Sequence, residues 1–367
     1  MKITIIAGAR PNFVKISPLI REIEKANADG HALEYSLVHT GQHYDQNMSG
    51  AFFEELEIPL PNINLAVGSG SQAEQTASIL IQFENYLLIN PTDLVIVVGD
   101  VTSTMACAIV TKKLGIKLAH IEGGIRSYDM TMPEEINRRV TDSITDYFFT
   151  TSDTANLNLK SEGVSDNRIF FVGNVMIDTL LYFKSRFKRN PNFDLWNLTK
   201  GKYFVLTLHR PSNVDNKGLL CDLLKTIDEN CKGNPVVFPV HPRTEKILKS
   251  INFQSKNIIY SKPMGYLEFN YLVQNSMGVI TDSGGITEET TVLGIPCITL
   301  RENTERPETC TIGTNELIGT DPGNLPPYMK KIIEKKWKKG GIPPLWDGMS
   351  SGRIISHIVK LFENERR

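Results

Sequence analysis

Charged residues and glycines recur in this chain at one kind of place, just after a short apolar run. Gly8-Ala9-Arg10-Pro11 follows the run 3–7, and Lys15 stands shortly after it. Pro11 suits an early helical position, where its missing N–H is no loss. Arg10 and Lys15 then fall near a helix start, whose N–H groups and dipole favour an anion. Gly99-Asp100 follows the run 94–98, and Glu122-Gly123-Gly124 follows the run 117–121. Paired glycines allow positive φ or close backbone approach. Glu134 stands in Thr131-Met132-Pro133-Glu134, which also has the form of a capping box, and Asp100 has the form of a helix N-cap. Gathered on one face, Asp100, Glu122 and Glu134 would push each other's pKa values apart and supply acid and base from one residue type.

The second half repeats the arrangement with histidines. Leu208-His209-Arg210 closes one apolar run, and Val240-His241-Pro242-Arg243 closes the next. A histidine beside an arginine at a strand end suits anion contact. The most specific segment is Thr281-Asp282-Ser283-Gly284-Gly285-Ile286-Thr287-Glu288-Glu289. Strand, Ser-Gly-Gly turn and helix start form a phosphate cradle of backbone N–H groups around Ser283, Gly284 and Gly285. A carboxylate one turn into the helix, Glu289, is placed to hold ribose hydroxyls. No Walker lysine and no G-x-G-x-x-G accompany the cradle, which argues against ATP hydrolysis and dinucleotide binding.

Positioning such residues requires strands that end together. The runs 3–7, 35–38, 94–98, 117–121 and 147–150 recur in the first half, and 203–208, 236–240, 257–259, 278–281 and 296–300 in the second. Both faces of these runs are apolar, as in a parallel sheet covered on two sides. Amphipathic stretches such as 13–25 and 105–113 lie between them, so the expected class is doubly wound α/β. The polar stretch 182–202, with Pro191 and Gly201, interrupts the pattern. It sets a boundary between Rossmann-like domains at 1–185 and 186–367, with a closing amphipathic helix at 352–362 packed on one half or across both. The lysine-rich stretch 330–339 reads as an exposed helix with one apolar stripe rather than a nucleic-acid patch.

Composition narrows the function classes. At 367 residues and a net charge of −1, the chain lacks the basic excess of an obligate nucleic-acid binder. No apolar run approaches the roughly 18 residues of a membrane span. The N-terminus reads as a first strand rather than a signal peptide, giving a cytoplasmic expectation. Five scattered cysteines without C-x-x-C spacing support neither a disulfide framework nor a thiolate metal site.

Taken in order, these motifs with Thr40-Gly41-Gln42-His43, Ile125-Arg126, Glu135-Ile136-Asn137-Arg138 and Glu305-Arg306-Pro307-Glu308 closely resemble the non-hydrolysing UDP-N-acetylglucosamine 2-epimerases over nearly the whole chain. The resemblance implies a GT-B arrangement of two Rossmann-like domains with an interdomain active-site cleft, and a homodimer. It implies inversion at C2 of UDP-GlcNAc to UDP-ManNAc, by UDP elimination to 2-acetamidoglucal and re-addition, with no cofactor and no metal. It places the catalytic role on Asp100, Glu122, Glu134 and His209. Substrate binding falls to Arg10, Lys15, Ser283, Gly284, Gly285 and Glu289. A second UDP-GlcNAc, as activator, would engage Gln42, Gln46 and Arg210.

This chain departs from the family pattern at Val101, Gly123 and Ser212 without losing a catalytic position. The alternatives are a 2-epimerase of a related sugar such as UDP-2,3-diacetamido-2,3-dideoxyglucuronic acid, a GT-B glycosyltransferase, a hydrolysing epimerase and a nucleotide-sugar binder without turnover.

Overall fold

Short strands, most of them apolar and buried on both faces, build two sheets in which every neighbouring pair is parallel. The computed structural model describes residues 1–41, 53–251 and 253–365. The chain divides into one unit of Met1–Tyr182 with Pro344–Arg367 and another of Phe183–Pro343.

In the first unit the strands are β1 (Lys2–Ala7), β2 (Glu34–His39), β3 (Ile63–Asn64), β4 (Leu94–Val98), β5 (Lys117–Ile121), β6 (Tyr147–Thr150) and β7 (Ile169–Phe171). Their order is β3-β2-β1-β4-β5-β6-β7. All five residues of β4 are buried because helices cover both sides of the sheet. Val95 and Val97 point to one side, where they pack with Phe83 of the helix Gln72–Ile89 and Cys107 of the helix Thr102–Lys113.

The second unit holds β8 (Phe204–Thr207), β9 (Val236–Pro239), β10 (Ile258–Ser261), β11 (Gly278–Thr281), β12 (Cys297–Thr299) and β13 (Asn315–Leu317), in the order β10-β9-β8-β11-β12-β13. Phe204 and Leu206 face one core, with the helices Lys217–Asn230 and Leu325–Ile333. Val205 faces another, with Leu272 and Val273 of the helix Tyr266–Gln274. Burying each such side chain contributes about 1.5–3 kcal/mol relative to exposure.

In each unit the strand order reverses beside its first strand, between β1 and β4 and between β8 and β11. At such a switch point the flanking loops diverge and leave a crevice at the carboxyl ends of the strands. The loops singled out from the sequence at Gly8, Gly99, Leu208 and Asp282 follow these four strands.

The closing helix, Ser350–Glu365, belongs to the first unit and packs on the helix Arg10–Ala28. Trp346 is buried, and its indole N–H donates to the Thr151 carbonyl at 2.9 Å. The Asp178 carboxylate accepts from the backbone N–H groups of Ser350 and Ser351 at 3.0 and 2.6 Å. Those N–H groups open the helix, so Asp178 caps it from the neighbouring helix Val175–Phe183.

Two expectations need correction. The strands β3, β7 and β13, each of two or three residues, were not expected from the apolar runs. The lysine-rich stretch is helical only to Ile333. Beyond it Trp337 packs against the second unit's core and Lys338 donates to the carbonyls of Cys310 and Asn315. Among the described residues no helix is long and apolar enough to cross a membrane.

Candidate active site

The loop after β1 is shaped by close approach. A Cβ on Gly8 would lie 2.1 Å from the Ser103 hydroxyl, so only glycine lets the helix Thr102–Lys113 come this near. Asn12 accepts from the N–H groups of Gly8 and Ala9, and its amide donates to Val98 at the end of β4. Lys15 follows on the same helix and is buried against Glu122, with Nζ 2.6 Å from Oε2. The Arg10 backbone opens this helix; its side chain lies outside the described residues, as do Gln42 and Gln46.

Glu122 holds φ at 72° although it is not glycine. That left-handed conformation costs roughly 1–2 kcal/mol and turns the carboxylate from the end of β5 toward Lys15. The following turn is fixed in place: a Cβ on Gly124 would fall 2.4 Å from the Ala155 carbonyl. Beneath it lies a buried polar group. Asp142 meets His120 Nδ1 at 2.6 Å and Arg126 at 2.6 Å, and accepts the Gly124 N–H at 2.9 Å. His120 Nε2 reaches the Gly99 carbonyl at 2.8 Å, so this group ties the ends of β4 and β5 together.

Asp100 does not cap the following helix, whose N-cap is Val101. Arg138 instead grips its Oδ2 through Nε and a terminal nitrogen at 3.0 and 2.6 Å. Asn137 donates to the Asp100 carbonyl. Both come from the helix Pro133–Ile144. Arg138 also binds Glu135 at 2.8 Å, and Glu135 accepts the backbone N–H groups of Ser127 and Tyr128. Burial would raise the Glu135 pKa, but the Ser127 N–H and Arg138 outweigh it and hold the carboxyl below its ordinary value. Glu134, one residue away, is exposed on the helix's first turn. The capping box does not form: the N-cap is Met132, and Thr131 donates to Asp129. The helix that carries Glu134 is therefore the helix that fixes Asp100.

In the second unit His209 Nδ1 lies 2.7 Å from Oδ1 of Asp282, whose side chain is 0% exposed while that of His209 is 51% exposed. Asp282 also accepts the N–H groups of His209 and Arg210 and the Asn213 amide. Burial pushes the Asp282 pKa up, but His209, the Arg210 N–H and Asn213 together hold it below its ordinary value. Arg210 donates to the Asp282 carbonyl and approaches Glu305 at 3.9 Å.

Ser283 is the N-cap of the helix Gly284–Leu293, and its own side chain does not cap it. A Cβ on Gly284 would approach Glu305 Oε1 to 2.9 Å. Glu288 pairs with Arg306, and Arg301 binds Glu305 at 2.7 Å. Burial pushes the Glu289 carboxyl up to about 7, against hydrogen bonds from Tyr266 and Asn270. His241 is exposed. Arg138, Glu135, Asp142 and Asp282 are thus central to the geometry, though the sequence reading gave none of them a role.

A profile of the UDP-N-acetylglucosamine 2-epimerase family matches residues 25–359. The chain belongs to this family. The UDP-N-acetylglucosamine 2-epimerase of Methanocaldococcus jannaschii is 43% identical over 97% of this chain and 98% of its own. The crystal structure of the M. jannaschii enzyme in complex with UDP-GlcNAc and UDP superposes with a TM-score of 0.88 at 42% identity, covering 98% of this chain and all of that one. The UDP-2,3-diacetamido-2,3-dideoxy-D-glucuronate 2-epimerase of Pseudomonas aeruginosa is 36% identical over 98% of this chain and 100% of its own. Membership of the 2-epimerase family agrees with the two Rossmann-like units and with the ordered motifs that carried the resemblance.

Proposed function

We propose that this chain inverts C2 of UDP-GlcNAc to give UDP-ManNAc, eliminating UDP to 2-acetamidoglucal and adding it back. The observation that carries this reading is the pair of carboxylates, Asp100 and Glu122, at the adjacent ends of β4 and β5, each held by its own cation. The C2 proton is not beside a carbonyl, so its removal must be coupled to departure of the phosphate. One carboxylate among Asp100, Glu122 and Glu134 takes the proton. The C2–H electron pair becomes the C1–C2 double bond, and the C1–O bond breaks with its pair left on the β-phosphate oxygen. In the reverse sense another carboxylate delivers a proton to the opposite face of C2, and the phosphate oxygen rebonds to C1.

His209, Arg10 and the N–H groups of Ser283–Gly285 would receive the charge that develops on the phosphate, where preorganised donors supply several kcal/mol. Glu289 would hold the ribose. Lys15 keeps Glu122 in register. We place this activity in the cytoplasm, in a homodimer. The exposed Ile81, Leu88 and Ile89 of the helix Gln72–Ile89 support a second copy as neighbour, which sedimentation would test.

A second reading draws on the P. aeruginosa relative: the substrate is a diacetamido-uronic UDP-sugar. Proton NMR with UDP-GlcNAc in D₂O separates the two. UDP-ManNAc carrying deuterium at C2 is the expected result. Saturable binding without exchange would move the assignment to the uronic substrate, and release of free ManNAc and UDP would overturn the reading.

A further inference from the structure

The contact between His209 and Asp282 has the form of an oriented acid–base pair. Asp282 ends β11 and His209 follows β8, the two strands that flank the second unit's switch point. The carboxylate is wholly buried and is fixed by two backbone N–H groups and the Asn213 amide, so it cannot swing away from the ring. At 2.7 Å from a carboxylate oxygen, Nδ1 must carry the proton, since two acceptors do not approach so closely. That leaves Nε2 as the atom a ligand meets, on a ring half open to solvent.

We propose that Asp282 is a positioning residue for the epimerisation: it holds the His209 ring by its Nδ1–H, so that the ring, when it carries both protons, aims Nε2–H at the departing phosphate. The inference rests on the epimerase reading of the site. No net proton moves in this step. The C1–O electron pair arrives on the phosphate oxygen, Nε2–H donates to that oxygen, and the hydrogen bond relaxes when the oxygen rebonds to C1. The charged groups next to the pair are Arg210, beside His209 in the chain, and Glu305 with Arg301 in the loop after β12. Glu305 pairs with Arg210 and Arg301, and among the described residues Asp282 is the carboxylate paired with the imidazole.

The test is the Asp282→Asn variant, which retains an acceptor for the backbone N–H groups and loses the charge. Releasing the ring should lower kcat on the order of 10²-fold, with KM little changed and UDP affinity retained. An unchanged kcat in a folded variant overturns the proposal. Nitrogen-15 NMR of wild-type His209, assigned by difference against His209→Gln, reads the pair directly. A ring whose Nδ1 carries a proton bonded to the carboxylate supports it, and a neutral ring protonated only on Nε2 overturns it, even if Asp282→Asn fails to fold. Because that spectrum needs no turnover, failure of the epimerase reading would be seen separately.

Discussion

Lys15 and Glu122 lie 107 residues apart in sequence and meet at 2.6 Å, both nearly withdrawn from solvent. One comes from the first helix and the other from the end of β5. The pair therefore crosses the switch point of the first sheet.

Removing one partner should expose the dependence. Lys15→Met takes this cation from a buried carboxylate, and breaking such a pair costs about 3–5 kcal/mol. Urea unfolding should show this loss, and the Lys15→Met/Glu122→Gln double variant should recover much of it. A double variant no more stable than Lys15→Met would refute the coupling.

Turnover should separate from binding. Asp100→Asn and Glu122→Gln are expected to lower kcat by roughly 10²–10⁴-fold, while calorimetry finds UDP binding retained. Unchanged turnover in both variants would remove the carboxylates from the chemistry.

Arg138 serves two carboxylates at once, Asp100 and Glu135. Arg138→Lys keeps the charge but loses the fork that grips Asp100 through two nitrogens. Activity should drop tenfold or more, about the 1.5–3 kcal/mol of a charge-assisted hydrogen bond, with a smaller change in KM. Equal activity in the lysine variant would mean that charge alone matters.

Glu289 carries a pH dependence of definite sign. Its folded pKa is raised from 4.5 to about 7. The folded state therefore holds this proton more tightly, and the contribution to stability is full below the unfolded value and lost as pH rises toward 7. Glu289→Gln should flatten the fall in Tm across that window and raise Tm above it relative to wild type. In the same variant UDP should bind more weakly, through loss of the ribose contact. A Tm profile parallel to wild type would contradict the assignment.

Strand ends were legible because fully buried parallel strands are continuous apolar runs: β4, β5, β6 and β11 begin and end where the sequence places them. Asp100, Glu122 and His209 stood out for that reason. Their partners did not. Asp282 lies 73 residues beyond His209, and only the pairing of β8 with β11 joins them. Within Pro133-Glu134-Glu135 the residue types alone do not say which glutamate turns inward; packing against Ser127 and Arg138 selects Glu135. The short strands β3, β7 and β13 have too few residues to display a period. Lys338 looked like a solvated charge because its carbonyl partners are distant in sequence.

The first unit is discontinuous, closed by Pro344–Arg367 after the whole second unit has intervened. Synthesis from the N-terminus therefore leaves the earlier-made sheet without Trp346, and Asp178 without Ser350 and Ser351 to cap, until the segment after the second unit has been made. The second unit, Phe183–Pro343, is complete sooner and can fold first. A chain cut short before Pro344 would lack what closes the half of the protein that was made first.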